Sequence, residues 1–357
     1  MANITAAMVK ELREMSGAGM MDCKKALTEC DGNMEEALDA LKKSGAAKME
    51  KKASRIAAEG ICRVAVEGNK GVVAEVNSET DFVAKNEVFQ EFVQDVANRA
   101  LASGLNGGKN GEDVETLLEN GLKDEVAEKT LKIGEKLSFR RFAKVEADAV
   151  VSYIHGGGKI GVLVAANGAT DDAAKEALAN IAMQVAAMNP TYVSRDEISD
   201  EEIAKMREIT IDSALNDPAS LPKPILNNLF AKAVDGVWTA EDVEVYEKEK
   251  TNKYLFNFLS EAAKAALAGL AMEAKETIVA DKIFSGLVEG RISKQLKDIS
   301  LMDQVYVKAE DGKQSVAKYL ESVNKALTIT EFVRFEVGEG MEKKNEDFAA
   351  EVAAQLG

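Results

Sequence analysis

One pattern occurs twice in this chain, and it restricts the available folds more than any other feature. Ile61 to Asn77 reads as strand, tight turn, strand: Cys62, Val64 and Val66 alternate, Gly68-Asn69-Lys70-Gly71 turns, and Val72, Ala74 and Val76 alternate back. Val151 to Asn167 repeats the plan, with Gly156-Gly157-Gly158 as the turn and Gly161, Leu163 and Ala165 on the return. Gly71 matches Gly161, Asn77 matches Asn167 and Asp81 matches Asp171. An amphipathic helix follows each hairpin. It carries Val88, Phe89, Phe92, Val93, Val96 and Leu101 in the first copy, and Ala177, Leu178, Ile181, Met183 and Val185 in the second. A third strand fits each copy, Leu137 to Val145 and Ile329 to Val337, matched through Phe142/Phe332 and Glu146/Glu336. The expectation is an α+β fold of two related halves, each a three-stranded antiparallel sheet with helices on one face.

Around this core the chain divides further. Residues 1–45 predict a small three-helix, UBA-like docking module. Thr5 caps the first helix (Met8, Val9, Leu12 and Met15 on one face), and Ser16-Gly17-Ala18-Gly19 ends it. A second helix spans about Met21 to Glu29, Asp31-Gly32 turns, and Asn33 with Glu36 caps a third that Ser44-Gly45 stops. Residues 46–58 form a basic connector with Lys48, Lys51, Lys52 and Arg55, read either as a solvated face or as a contact for an acidic surface. The first core half covers 59–147, and the second is split between 148–190 and 320–340. Between those pieces lies a helical excursion, 191–319, with Pro218, Pro222, Pro224 and Trp238. Thr239 and Asp242 give it a cap signal before the charged helix near Glu244 to Lys250. Residues 341–357 predict a closing amphipathic helix, Glu346 to Leu356, bearing Phe348, Val352 and Leu356.

Several function classes are excluded or disfavoured. A formal charge of −16 opposes the counterion displacement on which nucleic-acid binding depends. The most apolar run, Ala262 to Met272, is short and broken by Lys264, so no membrane span is expected, and the polar start predicts no secretory signal. Three dispersed cysteines, Cys23, Cys30 and Cys62, suit a reducing cytoplasm and suggest neither disulfide nor zinc. One histidine, His155, leaves little from which to build nucleophilic catalysis. Gly156-Gly157-Gly158-Lys159 imitates a phosphate loop, but Ile160 stands where a magnesium-holding Ser or Thr is required, and the segment sits in a hairpin. The abundant carboxylates, such as those from Glu241 to Glu249, read as surface charge. No catalytic residue, cofactor or metal site is expected.

The unusual segment is Thr80-Asp81-Phe82-Val83, between the second strand and a helix starting at Asn86-Glu87. Two readings are open. Either Thr80 or Asp81 caps a helical turn and Phe82 tucks into the local core, or the turn presents Phe82 to a partner. The second copy has an acidic residue there, Asp172, so the frame itself does not demand an aromatic.

Thr80-Asp81-Phe82-Val83-Ala84-Lys85 resembles the signature of the elongation factor Ts family. So do Val9 to Glu14, Gly17 to Leu27, Ile133-Gly134-Glu135, His155-Gly156 with Ile160 to Ala166, and Arg334 to Gly340. The resemblance implies a nucleotide exchange factor, not an enzyme, that binds the GDP form of elongation factor Tu in the cytoplasm. It implies that Thr80, Asp81, Phe82 and Val83 disturb the partner's Mg²⁺ site. It further implies that Arg13, Met20, Met21, Lys24, Ile133, Gly134, His155 and the final helix contact the partner. The family's short helical hairpin, a coiled-coil-like module often used for self-association, is here interrupted by extra sequence over roughly Ser213 to Lys282. That stretch reads as a structural extension or as a new partner site. The family's hydrophobic pair near Val307 is altered by Lys308, and Ser78 stands where a cysteine is common.

Overall fold

The computed structural model describes residues 4–52 and 54–342. Thr5 Oγ1 accepts the Met8 amide at 3.3 Å and starts α1 (Ala6–Ser16); α2 (Met20–Glu29) and α3 (Met34–Lys52) follow. The Asn33 side-chain carbonyl caps α3 by accepting the Glu35 and Glu36 amides at 3.1 and 3.3 Å. Leu12, Ala18, Cys23, Leu27, Ala37 and Leu41 bury a small common core. The predicted stop at Ser44-Gly45 does not occur, because α3 continues to Lys52. Its last seven residues, Ala46 to Lys52, are strong helix formers, and one interior glycine costs only about 1 kcal/mol.

The first copy then runs through β1 (Glu59–Glu67), β2 (Lys70–Ser78), a one-turn α4 (Asp81–Ala84) and α5 (Glu87–Ala102). It closes with α6 (Val114–Leu117), α7 (Lys123–Ile133) and β3 (Ser138–Glu146). The second copy has β4 (Ala149–His155), β5 (Ile160–Asn167) and α8 (Asp172–Met188). The chain next builds α9 (Asp200–Asn216), α10 (Lys223–Val234), α11 (Ala240–Glu249), α12 (Glu261–Glu273), α13 (Lys275–Val279) and α14 (Lys282–Ile299). It returns with α15 (Val316–Val323) and β6 (Thr328–Glu336). Two compact units result: Pro190–Gln304, and the other described residues. The helix predicted over Glu346 to Leu356 lies outside the described residues.

Each half has a three-stranded antiparallel sheet, β1-β2-β3 and β4-β5-β6, and the repeat extends to single pairs. Ala74 opposes Phe142 as Val164 opposes Phe332, and Lys70 opposes Glu146 as Ile160 opposes Glu336. The ladder shifts at equivalent points, Glu75/Val76 and Ala165/Ala166. Ile61, Val72, Ala74 and Val76 face α5, sharing a core with Phe89, Phe92, Val93 and Val96. Cys62, Val64 and Val73 lie on the opposite face, in a core shared with Val150, Leu163, Ala165, Val333 and Phe335 of the other sheet. The two sheets therefore pack face to face, which buries β2 on both sides.

Two glycines set the spacing. A Cβ on Gly71 would come within 2.7 Å of Val150 and 3.1 Å of Leu163; a Cβ on Gly161 would come within 2.8 Å of Val73 and 2.9 Å of Cys62. The relation is reciprocal, since Gly71 and Val73 occupy the repeat positions of Gly161 and Leu163. Beside this contact the fully buried Glu75 carboxylate is held by Arg141 Nε at 2.6 Å and Arg140 Nη1 at 2.9 Å. It also accepts from Asn77 Nδ2 at 3.1 Å and from the Gly338 amide, just beyond β6, at 2.9 Å. Arg141 lies 4.2 Å over the Phe335 ring.

The helical unit has its own core. Phe230 stands at its centre, 5.9 Å from Trp238, 4.9 Å from Tyr246 and 6.0 Å from Phe256, and Trp238 Nε1 donates to the Ala263 carbonyl at 3.0 Å. Arg207 on α9 pairs with Glu289 on α14, and α10 to α13 enlarge that pair into a packed body. The segment read as extra sequence thus supplies most of the unit's core. Thr239 Oγ1 accepts the Asp242 amide at 3.2 Å, the cap that starts α11.

The close approach of the sheets gives a stability test. Gly71→Ala and Gly161→Ala should each lower stability by about 1–3 kcal/mol in urea unfolding through overpacking. Gly104→Ala, where a Cβ meets nothing within 4 Å, should stay within about 0.5 kcal/mol. Equal stability of all three variants would contradict the packing.

Candidate functional site

The two copies differ where β2 and β5 hand over to helix. In the second, Asp171 accepts the Ala174 amide at 2.9 Å and α8 begins at once. In the first, α4 is interposed, and the long helix α5 waits for its own cap, Asn86 Oδ1, which accepts the Phe89 amide at 3.2 Å. Val83 and Ala84 anchor this turn in the first core. Phe82 points away from it, with 78% of its surface exposed. The core alternative for Phe82 is therefore excluded. The turn thus presents its aromatic ring to solvent instead of adding it to the core.

Asp81 does not cap α4. Its carboxylate takes a 2.8 Å ion pair from Lys85, whose ammonium also lies 5.8 Å from the Phe82 ring. That hydrogen bond holds the Asp81 carboxyl below its ordinary range, and the ammonium that causes the shift balances its charge. Thr80 does not cap by its side chain either. Its hydroxyl donates to Glu135 Oε1 at 2.7 Å, and Glu135 Oε2 accepts the Glu79 and Thr80 amides at 3.1 and 3.0 Å. The Glu79 carboxylate answers by accepting the Lys136 amide at 2.6 Å and both bonds of Arg55 Nη1 at 3.2 Å.

The loop after α7 thus touches both the motif and the N-terminal module. Gly134 closes α7 with φ 88°, a conformation glycine adopts without strain, and its carbonyl accepts from the Lys52 ammonium at the end of α3. Ile133 is half-buried and, with Phe82, Val83, Asn86, Val88 and Lys132, lines a shallow depression beside the exposed ring. Lys52 and Arg55 of the basic connector are engaged with the chain's own loops. In the module itself, Met20 and Met21 on the first turn of α2 are 60% and 77% exposed, and Arg13 and Lys24 are also exposed.

His155 lies elsewhere, exposed at the end of β4, with Nδ1 3.0 Å from the Tyr153 hydroxyl. Gly156 to Gly158 form the tight turn of the β4–β5 hairpin rather than a phosphate cradle. Val307 is exposed, while the Lys308 ammonium is tied to Asn180 Oδ1 at 2.7 Å. Burial pushes the Cys62 thiol well above its ordinary pKa, leaving it inert. Among the described residues no group of His, Cys, Asp and Glu is placed to hold a metal, and no helix is long and apolar enough to cross a membrane.

Glu79 and Glu135 were not among the residues expected at the site. Reading carboxylates as surface charge hides them, although Glu135 directly follows the Ile133-Gly134 pair. The fold and site together define a duplicated α+β protein that displays a braced acidic–aromatic turn. Residues 79–339 match the family model described as Elongation factor TS. Elongation factor Ts of Clostridioides difficile (strain 630) is 42% identical over 368 aligned positions, covering 100% of both chains. The chain belongs to the elongation factor Ts family, and its role is that of a translation elongation factor.

Phe82→Ala should leave the melting temperature unchanged within the effect of about 0.5 kcal/mol normal for surface substitutions. A clear drop in that temperature would mean that the ring has a structural role.

Proposed function

We propose that this protein is a guanine-nucleotide exchange factor that binds elongation factor Tu in its GDP form and accelerates GDP release. The observation that carries the reading is the 78% exposed Phe82 on a turn anchored from beneath, next to an ionised Asp81. A Mg²⁺ bridging protein and phosphate oxygens offsets much of a nucleotide's charge. In this reading Phe82 enters between helices of the GTPase and Asp81 disturbs the groups around the metal. The diphosphate then loses electrostatic holding and leaves. Neither residue binds the metal, and the factor does no covalent chemistry.

Arg13, Met20, Met21 and Lys24 dock the GTPase domain, Ile133 and Gly134 extend that contact, and His155 meets a further domain of the partner. Family membership supports these assignments, and so do the exposed α2 methionines and the hairpin-end imidazole. The work takes place in the cytoplasm and needs no nucleic acid, cofactor or membrane. Two ligands of one protein are linked: if the factor weakens GDP binding by some ratio, GDP weakens factor binding equally. Every tenfold of that coupling corresponds to about 1.4 kcal/mol, drawn from the several docking surfaces. A multi-contact protein is what such coupling requires.

Stopped-flow measurement with a fluorescent GDP analogue tests the reading. Stoichiometric wild-type protein should speed release from elongation factor Tu, and Phe82→Ala should lose roughly tenfold or more of that acceleration, about 1.4 kcal/mol. Binding of the wild type with release at the spontaneous rate would identify a scaffold instead.

A further inference from the structure

We infer that Glu135 is the positioning residue of the exposed turn, fixing the backbone that carries Phe82 and locking it to the N-terminal module. The inference rests on the exchange reading and adds to it a residue that touches neither the exposed ring nor Asp81.

A four-residue helix does not hold itself, because the first turn fixes many dihedrals for very few hydrogen bonds. The orientation of α4 must therefore come from outside it. Val83 and Ala84 supply an apolar footing on one side. On the other, Glu135 gathers three donors from the residues entering α4: the Glu79 amide, the Thr80 amide and the Thr80 hydroxyl. Hydrogen bonds to an ionised acceptor are about twice as strong as neutral ones. The Thr80 hydroxyl, at the N-cap position of α4, is engaged by Glu135 instead of by an α4 amide, and the local bond beside it is Ser78 Oγ donating to the Thr80 carbonyl at 3.0 Å.

Glu135 is itself held in place. Glu79 accepts the amide of the next residue, Lys136, so the two loops exchange carboxylate-to-backbone bonds in both directions. Arg55 braces Glu79, the Lys136 ammonium donates to the Arg55 carbonyl at 2.8 Å, and the Lys52 ammonium reaches the Gly134 carbonyl. The end of α3, the end of α7 and the start of α4 thus meet within residues 133–136. A wedge on a loose turn spends binding energy on ordering itself, whereas a braced one delivers that energy to the partner. Loss of Glu135 leaves the docking surfaces and the Phe82 side chain in place and loosens only their relation.

The test uses the full-length protein with two readouts. Release of fluorescent GDP from elongation factor Tu is followed against factor concentration, giving a plateau rate and a half-saturating concentration. Amide hydrogen exchange at Glu79 and Thr80 is measured by NMR on the factor alone. For Glu135→Ala the plateau should fall about tenfold while the half-saturating concentration moves less than about threefold, and both amides should exchange at least about tenfold faster. Glu135→Gln should fall between wild type and Glu135→Ala in both readouts, since its carbonyl still accepts the two amides, more weakly than a carboxylate, and its NH₂ can donate to the Thr80 hydroxyl oxygen. Unchanged amide protection in Glu135→Ala overturns the inference. A plateau loss matched by equal loss of affinity, or a Gln variant as impaired as Ala, also overturns it. Should the wild type itself fail to speed release, the exchange reading falls, while the amide data still decide whether Glu135 holds the turn.

Discussion

Two sheets approach each other closely enough that a Cβ on Gly71 or Gly161 would press into side chains of the facing sheet, and the larger unit is organised around that contact. The contact is self-complementary, with each glycine resting on a side chain beside the other. It converts two copies of a strand–turn–strand–helix plan into one body with helices outside and sheets inside. Glu75 adds a directional element to this apolar packing. Its repeat counterpart is Ala165, and the counterpart of Arg141 is Glu331, so the buried ion cluster exists in one copy only. Removing one partner from such a cluster strands a buried charge, at a cost of about 3–5 kcal/mol. Because Glu75 also accepts the Gly338 amide, it ties the end of the last strand to the first sheet.

The exchange reading places function where the copies depart from each other. Matching aspartates do different work: Asp171 caps a long helix, while Asp81 pairs with Lys85 on an interposed turn and leaves the capping to Asn86. That single departure lifts an aromatic ring out of the frame. The loops around Gly134 then join the turn to the three-helix module, whose bare methionines stand on α2. Under the exchange reading, docking energy gathered by the module is transmitted through residues 133–136 to the ring, a short and hydrogen-bonded route.

Much of the frame was legible from the alternation of apolar residues. The paired strands, the matched Phe142/Phe332 and the helix after each hairpin follow from period and spacing alone. The two alternating sets, Cys62/Val64 and Val72/Ala74/Val76, proved to lie on opposite faces, because β2 is covered on both sides. Alternation locates a strand but says nothing of a second cover. The stop at Ser44-Gly45 was misread because a dipeptide suited to termination was outweighed by the helix formers beyond it. In the site, Phe82 could be found by its motif, yet its exposure could not, since the same four residues suit a buried turn. Glu135 and Glu79 were invisible for a different reason. Their work is done across more than 50 residues of sequence, and a carboxylate that braces a distant backbone resembles any surface glutamate until the loops are brought together.

The most direct measurement of the displacement mechanism is the structure of this protein bound to nucleotide-free elongation factor Tu. Displacement predicts the Phe82 ring enclosed between helices of the GTPase, beside the vacated magnesium pocket and with Asp81 facing the former ligands. A ring still open to solvent in the complex, or resting on a surface remote from that pocket, would contradict it.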